Sequence, residues 1–209
     1  MSELDSEEYE TFGFDKTGRD QPEAAVLLDE ELDVDEEDED LEDELEDAGD
    51  DEIDFVLAAY REDGQVLVQA LNKDLANDLE ELIVQLRRLP GDAGALGFVS
   101  LVEEVFVIAW VRGRNVQVLL SDGAAAADWP IARDVADLLD AEIPDADPDD
   151  EGEPMGDLGM LAELGLSDFD LGAILDDLEL SSVQMLMQIA ERLKMGPQFR
   201  RVAEAAFQS

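Results

Sequence analysis

The side chains able to do chemistry in this chain are overwhelmingly carboxylates, 57 Asp and Glu against 13 Lys and Arg. Carboxylates move protons when their environments push their pKa values apart, and they hold hard cations when several converge on one ion. The run "DADPDDEGEPMG", starting at Asp145, has acids at its first, third and fifth positions (Asp145, Asp147, Asp149), as a calcium-binding EF-hand loop does. Its sixth position is Asp150 where the loop's turn requires Gly, and its twelfth is Gly156 where a bidentate Glu is required. Two prolines also intrude, so the pattern fails as a metal loop. The pairs Glu80-Glu81 and Glu103-Glu104 read as a helix surface and a turn.

Other chemistries are narrowed by what is missing. The chain has no His and no Cys, so the commonest general base, the thiol nucleophile and the thiolate metal ligand are absent. Ser100, Ser121 and Ser167 have no His to activate them and sit in no Gly-x-Ser-x-Gly elbow. "GDAGALG" (Gly91 to Gly97) lacks the Lys-Ser/Thr of a phosphate loop and leads into a strand, which makes it a turn. The sequence therefore predicts no catalytic residue, cofactor or metal, and no enzyme. A carboxylate- or metal-dependent enzyme is the least supported reading. It requires two or more acids converging in a concave pocket of the folded part.

Binding is the remaining class. Arg192, Lys194, Arg200 and Arg201 form a local basic cluster able to touch RNA or an acidic surface, unless they are simply cations placed near helix ends. Trp129, just before Pro130, is a candidate for a partly exposed anchor. Met185, Met187 and Met195 beside Phe199 would make either an adaptable docking surface or core filler. A formal charge of −44 repels phosphate backbones and anionic lipid, which argues against duplex DNA or membrane binding by the chain as a whole. The longest apolar run, Val105 to Val111, is far short of the ~20 residues that span a bilayer. The start "MSELDSEEYE" is acidic, unlike a signal peptide, so the expectation is a cytoplasmic protein.

Four regions must position these residues. Residues 1–51 are expected to be a disordered acidic tail, too charged and too poor in apolar residues to offset the entropy of ordering. Residues 52–140 read as an α+β layered domain. "IDFVLAAY" and "QVLVQAL" flank Asp63-Gly64 as a hairpin. "DLANDLEELIVQLRRL" follows as one helix with Leu75, Leu79, Leu82, Ile83 and Leu86 on a stripe. "ALGFVSLV", "VFVIAWVR" and "VQVLLS" form a meander whose unbroken apolar runs imply strands covered on both faces or packed beneath helices. A helix interrupted at Pro130 completes the order ββαβββα, which resembles that of roadblock- and profilin-like domains in topology alone. Residues 141–156 are an acidic, Pro-rich linker by composition, and 157–209 a region of four short helices, with Ser167 and Ser181 or Ser182 as caps and Pro197 in a first turn.

Taken in order, "FVLAAYREDGQVLVQAL", "LVEEVFVIAWVRGRNVQVLLSDGAAAADWPIARDVADLL" and "GDLGMLAELGL" resemble the actinobacterial family of tRNA adenosine deaminase-associated proteins, over roughly residues 53–206. The resemblance implies a link with the enzyme that converts adenosine to inosine in tRNA anticodons. Such deaminases activate a zinc-bound water on His and Cys ligands with a Glu proton shuttle, a site this chain has no residues to build. The implied role is an accessory or adaptor protein whose partner is a tRNA adenosine deaminase. The alternative is an acidic nucleic-acid mimic or inhibitor occupying a basic partner groove.

Overall fold

Asp63 and Gly64 both adopt positive φ, 50° and 78°, the backbone that a tight two-residue hairpin needs and that Asp and Gly tolerate best. They join β1 (Ile53–Glu62) to β2 (Gln65–Ala70). The computed structural model describes residues 45–144 and 152–207. From the hairpin it continues through α1 (Leu79–Arg87), β3 (Ala95–Leu101), β4 (Val105–Arg112), β5 (Asn115–Leu120) and α2 (Pro130–Leu139). A short β6 (Met155–Gly156) then leads to α3 (Asp168–Leu175), α4 (Ser182–Arg192) and α5 (Gly196–Phe207). The fold is α+β, with an antiparallel sheet in the order β2-β1-β3-β4-β5-β6.

Nearly every residue of β1, β3 and β4 is buried, because the sheet is covered on both faces. Successive side chains of a strand point to opposite faces. Val56, Val99, Val107 and Val111 thus meet Leu82, Leu86, Ile131 and Val135 of α1 and α2. Phe55, Phe98, Phe106, Ile108 and Trp110 face the other way, against Leu171, Leu186, Ile189, Leu193 and Phe199 of α3, α4 and α5. The C-terminal helices therefore form the second layer on the sheet.

Local chemistry explains where the elements break. The single helix expected across 74–89 is two: a 3-10 turn at Lys73–Ala76 capped by Asn72, then α1 capped by Asp78, whose carboxylate accepts the Glu81 N–H at 2.8 Å. Asn and Asp side chains offer the backbone a local partner that competes with helix continuation. The stripe survives the break, with Leu75, Leu79, Leu82, Ile83 and Leu86 all buried. The interruption expected at Pro130 is present: a 3-10 turn at Gly123–Ala127 ends before Pro130, which opens α2 in its first turn. Ser167 caps α3, and Ser181 with Gln184 forms a reciprocal capping box on α4.

Two backbone features extend the ordered part beyond the boundaries drawn from composition. Ala48, inside the predicted tail, is buried, and Asn77 bonds both its N–H (2.8 Å) and its carbonyl (3.1 Å). Met155–Gly156, inside the predicted linker, pairs with Leu119 and Leu120 of β5. Gly156 has φ 122°, and a Cβ there would lie 2.3 Å from the Val118 carbonyl oxygen, so the strand closes only on glycine. The rest of the expected tail and the acids Asp145, Asp147 and Asp149 lie outside the described residues. Among the described residues no helix is long and apolar enough to cross a membrane.

Candidate interaction surfaces

α1 and α2 lie side by side on one face of the sheet, and between them opens a cleft of about 670 Å³. Leu79, Ile83, Val116 and Leu138 give it apolar walls, Asp78, Glu80, Asp134 and Asp137 give it acidic ones, and Arg87 adds a single cation. Leu138 is 52% exposed, unusual for a leucine on a helix whose Ile131, Ala132, Val135 and Ala136 are buried. Two of the acids are committed to backbone. Asp78 caps α1, and Asp134 reaches across from α2 to accept the Leu79 N–H at 3.0 Å, tying the two helices together.

The Asp134 carboxyl titrates above its ordinary value. Burial is the main cause, opposed by the Leu79 N–H and reinforced by repulsion from Asp78, Asp137 and Glu80. A carboxyl raised on folding disfavours the folded state while it is charged. That penalty is present near neutral pH and is relieved as pH falls through the raised value towards the ordinary carboxylate range. Asp134→Asn keeps an acceptor for Leu79 and removes the charge. It is expected to raise the thermal midpoint at neutral pH by a few degrees at most. The gain over wild type should shrink as the medium is acidified, and a variant less stable than wild type near neutrality would refute the assignment.

Four acids around one concavity are the arrangement a carboxylate enzyme would require. Here, however, the oxygens of Asp78 and Asp134 hold helix N–H groups. Among the described residues no group of three or more acids is placed to hold a metal ion. What the cleft does offer is hydrophobic contact inside a negative rim, the complement of a basic amphipathic segment.

The C-terminal cations are placed differently from one another. Arg192, in the last turn of α4, lies 3.3 Å from Asp170 of α3, and Arg200 of α5 lies 2.6 Å from Glu191 of α4. The Ser167 hydroxyl and then Arg192 hold the Asp170 carboxyl below its ordinary value. Lys194 (φ 61°) and Arg201 are exposed and make no ion pair among the described residues. Half of the cluster therefore clasps α4 to its neighbours. Trp129 is half-buried at the start of α2 and packs on the core beneath α1 and α2. Met185 and Met195 are buried, while Met187 lines a groove with Val183 and the half-exposed Phe207.

The cleft escapes a reading of the sequence because its two walls are far apart along the chain; Leu79 and Asp134 are separated by 55 residues. No local motif marks either wall. Residues 54–196 match the family described as Rv3753c-like tRNA adenosine deaminase-associated protein. The chain is also similar to Protein Rv3753c of Mycobacterium tuberculosis, 34% identical over 155 residues, which cover 72% of this chain and 87% of that protein. No solved structure matches. The matched span runs from β1 through both helical layers to the first residue of α5, and the chain belongs to the Rv3753c-like family of tRNA adenosine deaminase-associated proteins.

Proposed function

We propose that this protein is a non-catalytic, cytoplasmic adaptor that holds a basic amphipathic segment of a tRNA adenosine deaminase in the α1–α2 cleft. The carrying observation is the pairing of an exposed Leu138 and the apolar wall at Ile83 with the rim acids Asp78, Glu80, Asp134 and Asp137. Apolar contact supplies affinity, and the acidic rim steers and orients a cationic partner. The family description, tRNA adenosine deaminase-associated, supports that choice of partner. Without His or Cys the chain has no ligands for a deaminase zinc site, which favours an accessory role over a second catalytic copy. On this reading Arg192 and Arg200 serve the fold, while Lys194, Arg201 and Trp129 are secondary contacts at most.

The test is titration calorimetry of the full chain against the tRNA adenosine deaminase of the same organism at low salt. Asp137→Lys and Leu138→Arg change exposed residues and should each weaken binding about tenfold or more, as loss of a hot-spot contact does. Phe207→Ala, on the opposite layer, should change it by less than about twofold. Absence of any interaction at low salt would remove the adaptor role, and full affinity in both cleft variants would remove the cleft.

One observation favours a different use of the charge. Nearly half of the acidic residues fall within residues 1–52, as expected of a nucleic-acid mimic that fills a basic groove. Deleting residues 1–44 then abolishes binding, whereas docking in the cleft leaves it largely intact.

A further inference from the structure

In a chain this acidic, five arginines from three separate segments meet at one end of the sheet. β1 finishes at this end with Arg61, α1 with Arg87 and its cap Arg88, and β4 with Arg112; Arg114 follows in the turn to β5. The register fixes their alignment. Tyr60 pairs with Ala95, Ala95 with Val111, and Val111 with Val116. Arg61 and Arg112 therefore lie one residue beyond a common row, two strand spacings or about 10 Å apart. The corner between α4 and α5 reaches the same end, because Leu193 and Met195 line a small pocket with Arg61 and Trp110. That corner carries Lys194.

Arg112 is the fixed member. Its guanidinium lies 3.8 Å over the Trp110 ring, pairs with Glu163 at 2.6 Å and donates to Gln117 at 2.8 Å, while its buried Nε has no partner. Arg61, Arg87, Arg88 and Arg114 are exposed and make no ion pair among the described residues. Between the end of α1 and the β4–β5 turn lies a concavity of about 390 Å³, walled by Arg87 and Arg112 and floored by Gly91, Gly94 and Gly113. Gly94 presses on β4 so closely that a Cβ would lie 2.2 Å from the Val111 carbonyl oxygen. The acids at this end are Glu62, the last residue of β1, Asp63 in the turn that follows, Asp92 in the loop before β3, and Glu163, already held by Arg112. Arg87 also faces Asp78, Glu80, Asp134 and Asp137 across the neighbouring cleft.

From this placement we infer that the arginine end binds the phosphodiester backbone of a nucleic acid. A guanidinium pairs with phosphate through two parallel N–H groups, and four unpaired ones spread across this end can follow successive phosphates. A protein partner would need apolar contact at the centre of its interface. None of the exposed large hydrophobic residues, which are Leu67, Leu138, Leu139, Phe169, Leu178 and Phe207, lines this concavity. The remaining negative charge does not forbid the contact, since screening at physiological salt confines each charge to about 8 Å. Arg87 lines both this concavity and the α1–α2 cleft, so the two surfaces adjoin. The inference rests on the arginines at the sheet's end, and Arg88 and Arg114 do not line that cleft.

The experiment is fluorescence anisotropy of the full chain with a labelled tRNA transcript and, separately, a DNA duplex of similar length, across a salt series from low to physiological. Binding to either is expected at low salt, with log K falling against log salt at a slope of about −3 to −4 for four phosphate contacts. The two arms tell folded RNA from duplex DNA as the source of the backbone. The triple variant R87E/R88E/R114E should lose about tenfold or more in affinity and flatten the slope. Its unfolding curve should match wild type because all three residues are exposed. Arg201→Glu should stay within about twofold. Three results would overturn the inference: no binding of either nucleic acid at low salt, equal losses in the triple variant and Arg201→Glu, or arginine-dependent capture of polyglutamate without nucleic-acid binding.

Discussion

Replacing Phe199 by Ala is expected to destabilise the whole described fold by about 3–5 kcal/mol, enough to lower its thermal midpoint by roughly 10 °C. Phe199 is fully buried, and its ring stands edge-on to two sheet aromatics, 5.9 Å from Phe55 at 85° and 5.1 Å from Phe98 at 82°. Each such pair adds about 0.5–1.5 kcal/mol beyond the area it buries. The truncation removes both pairs and leaves a cavity between α5 and the sheet, where rigid strands cannot collapse to fill it. Because β1 and β3 carry cores on both faces, the loss should be felt in the α1–α2 layer too. Trp110 lies on the Phe199 face and Trp129 on the other, so their emission and far-UV circular dichroism should report a single shifted transition. A shift below about 1 kcal/mol, or loss of Trp110 burial alone, would mean that the two layers fold separately.

That coupling also marks what was legible in the sequence. The continuous apolar runs of β3 and β4 announced coverage on both faces, because a strand half-exposed to water would alternate. Asp63-Gly64, Ser167, the pair Ser181-Ser182 and Pro130 announced turns and helix starts, since these residue types meet local backbone requirements that need no tertiary partner, and of the pair Ser181 is the cap. Strand β6 was hidden because its two residues join the sheet through main-chain bonds inside an acidic, Pro-rich stretch, and composition carries no trace of such bonds. The break at Asn77-Asp78 was hidden behind an intact leucine stripe. The surfaces were least legible of all. The basic run at Arg192, Lys194, Arg200 and Arg201 is conspicuous in sequence, yet Asp170 and Glu191 neutralise half of it through helix packing. Arg61, Arg87 and Arg114 are inconspicuous singly and become a surface only when the register aligns the strand ends.

The second large effect is expected at Asp54, at the opposite end of the sheet, the one carboxylate among the described residues that is buried. Its Oδ2 accepts from Ser100 Oγ and from the Glu103 N–H, both at 2.8 Å. Ser100 Oγ lies 2.7 Å from Ser182 Oγ. Ser100 has a single hydroxyl hydrogen and gives it to the carboxylate, so Ser182 must be the donor in that second contact. The Ser182 N–H in turn donates to the Glu103 carbonyl at 2.9 Å. The chain of bonds pins the start of α4 to the β3–β4 turn. It also holds that turn in a costly shape, because Val102 and Glu103 have φ 47° and 57°, a region where a β-branched residue is disfavoured by about 1–2 kcal/mol. Asp54→Ala leaves the Glu103 N–H and the Ser100 hydroxyl without their acceptor and should cost about 2–4 kcal/mol. Asp54→Asn keeps an oxygen that can accept both bonds and should cost less than half as much. Denaturant midpoints give the energies, and amide exchange at Glu103 and Ser182 gives the location, with protection lost at both in the Ala variant first. Equal losses in the Ala and Asn variants would mean that the negative charge, not the bonded network, holds α4 in place. An Ala variant as stable as wild type would mean that neither does.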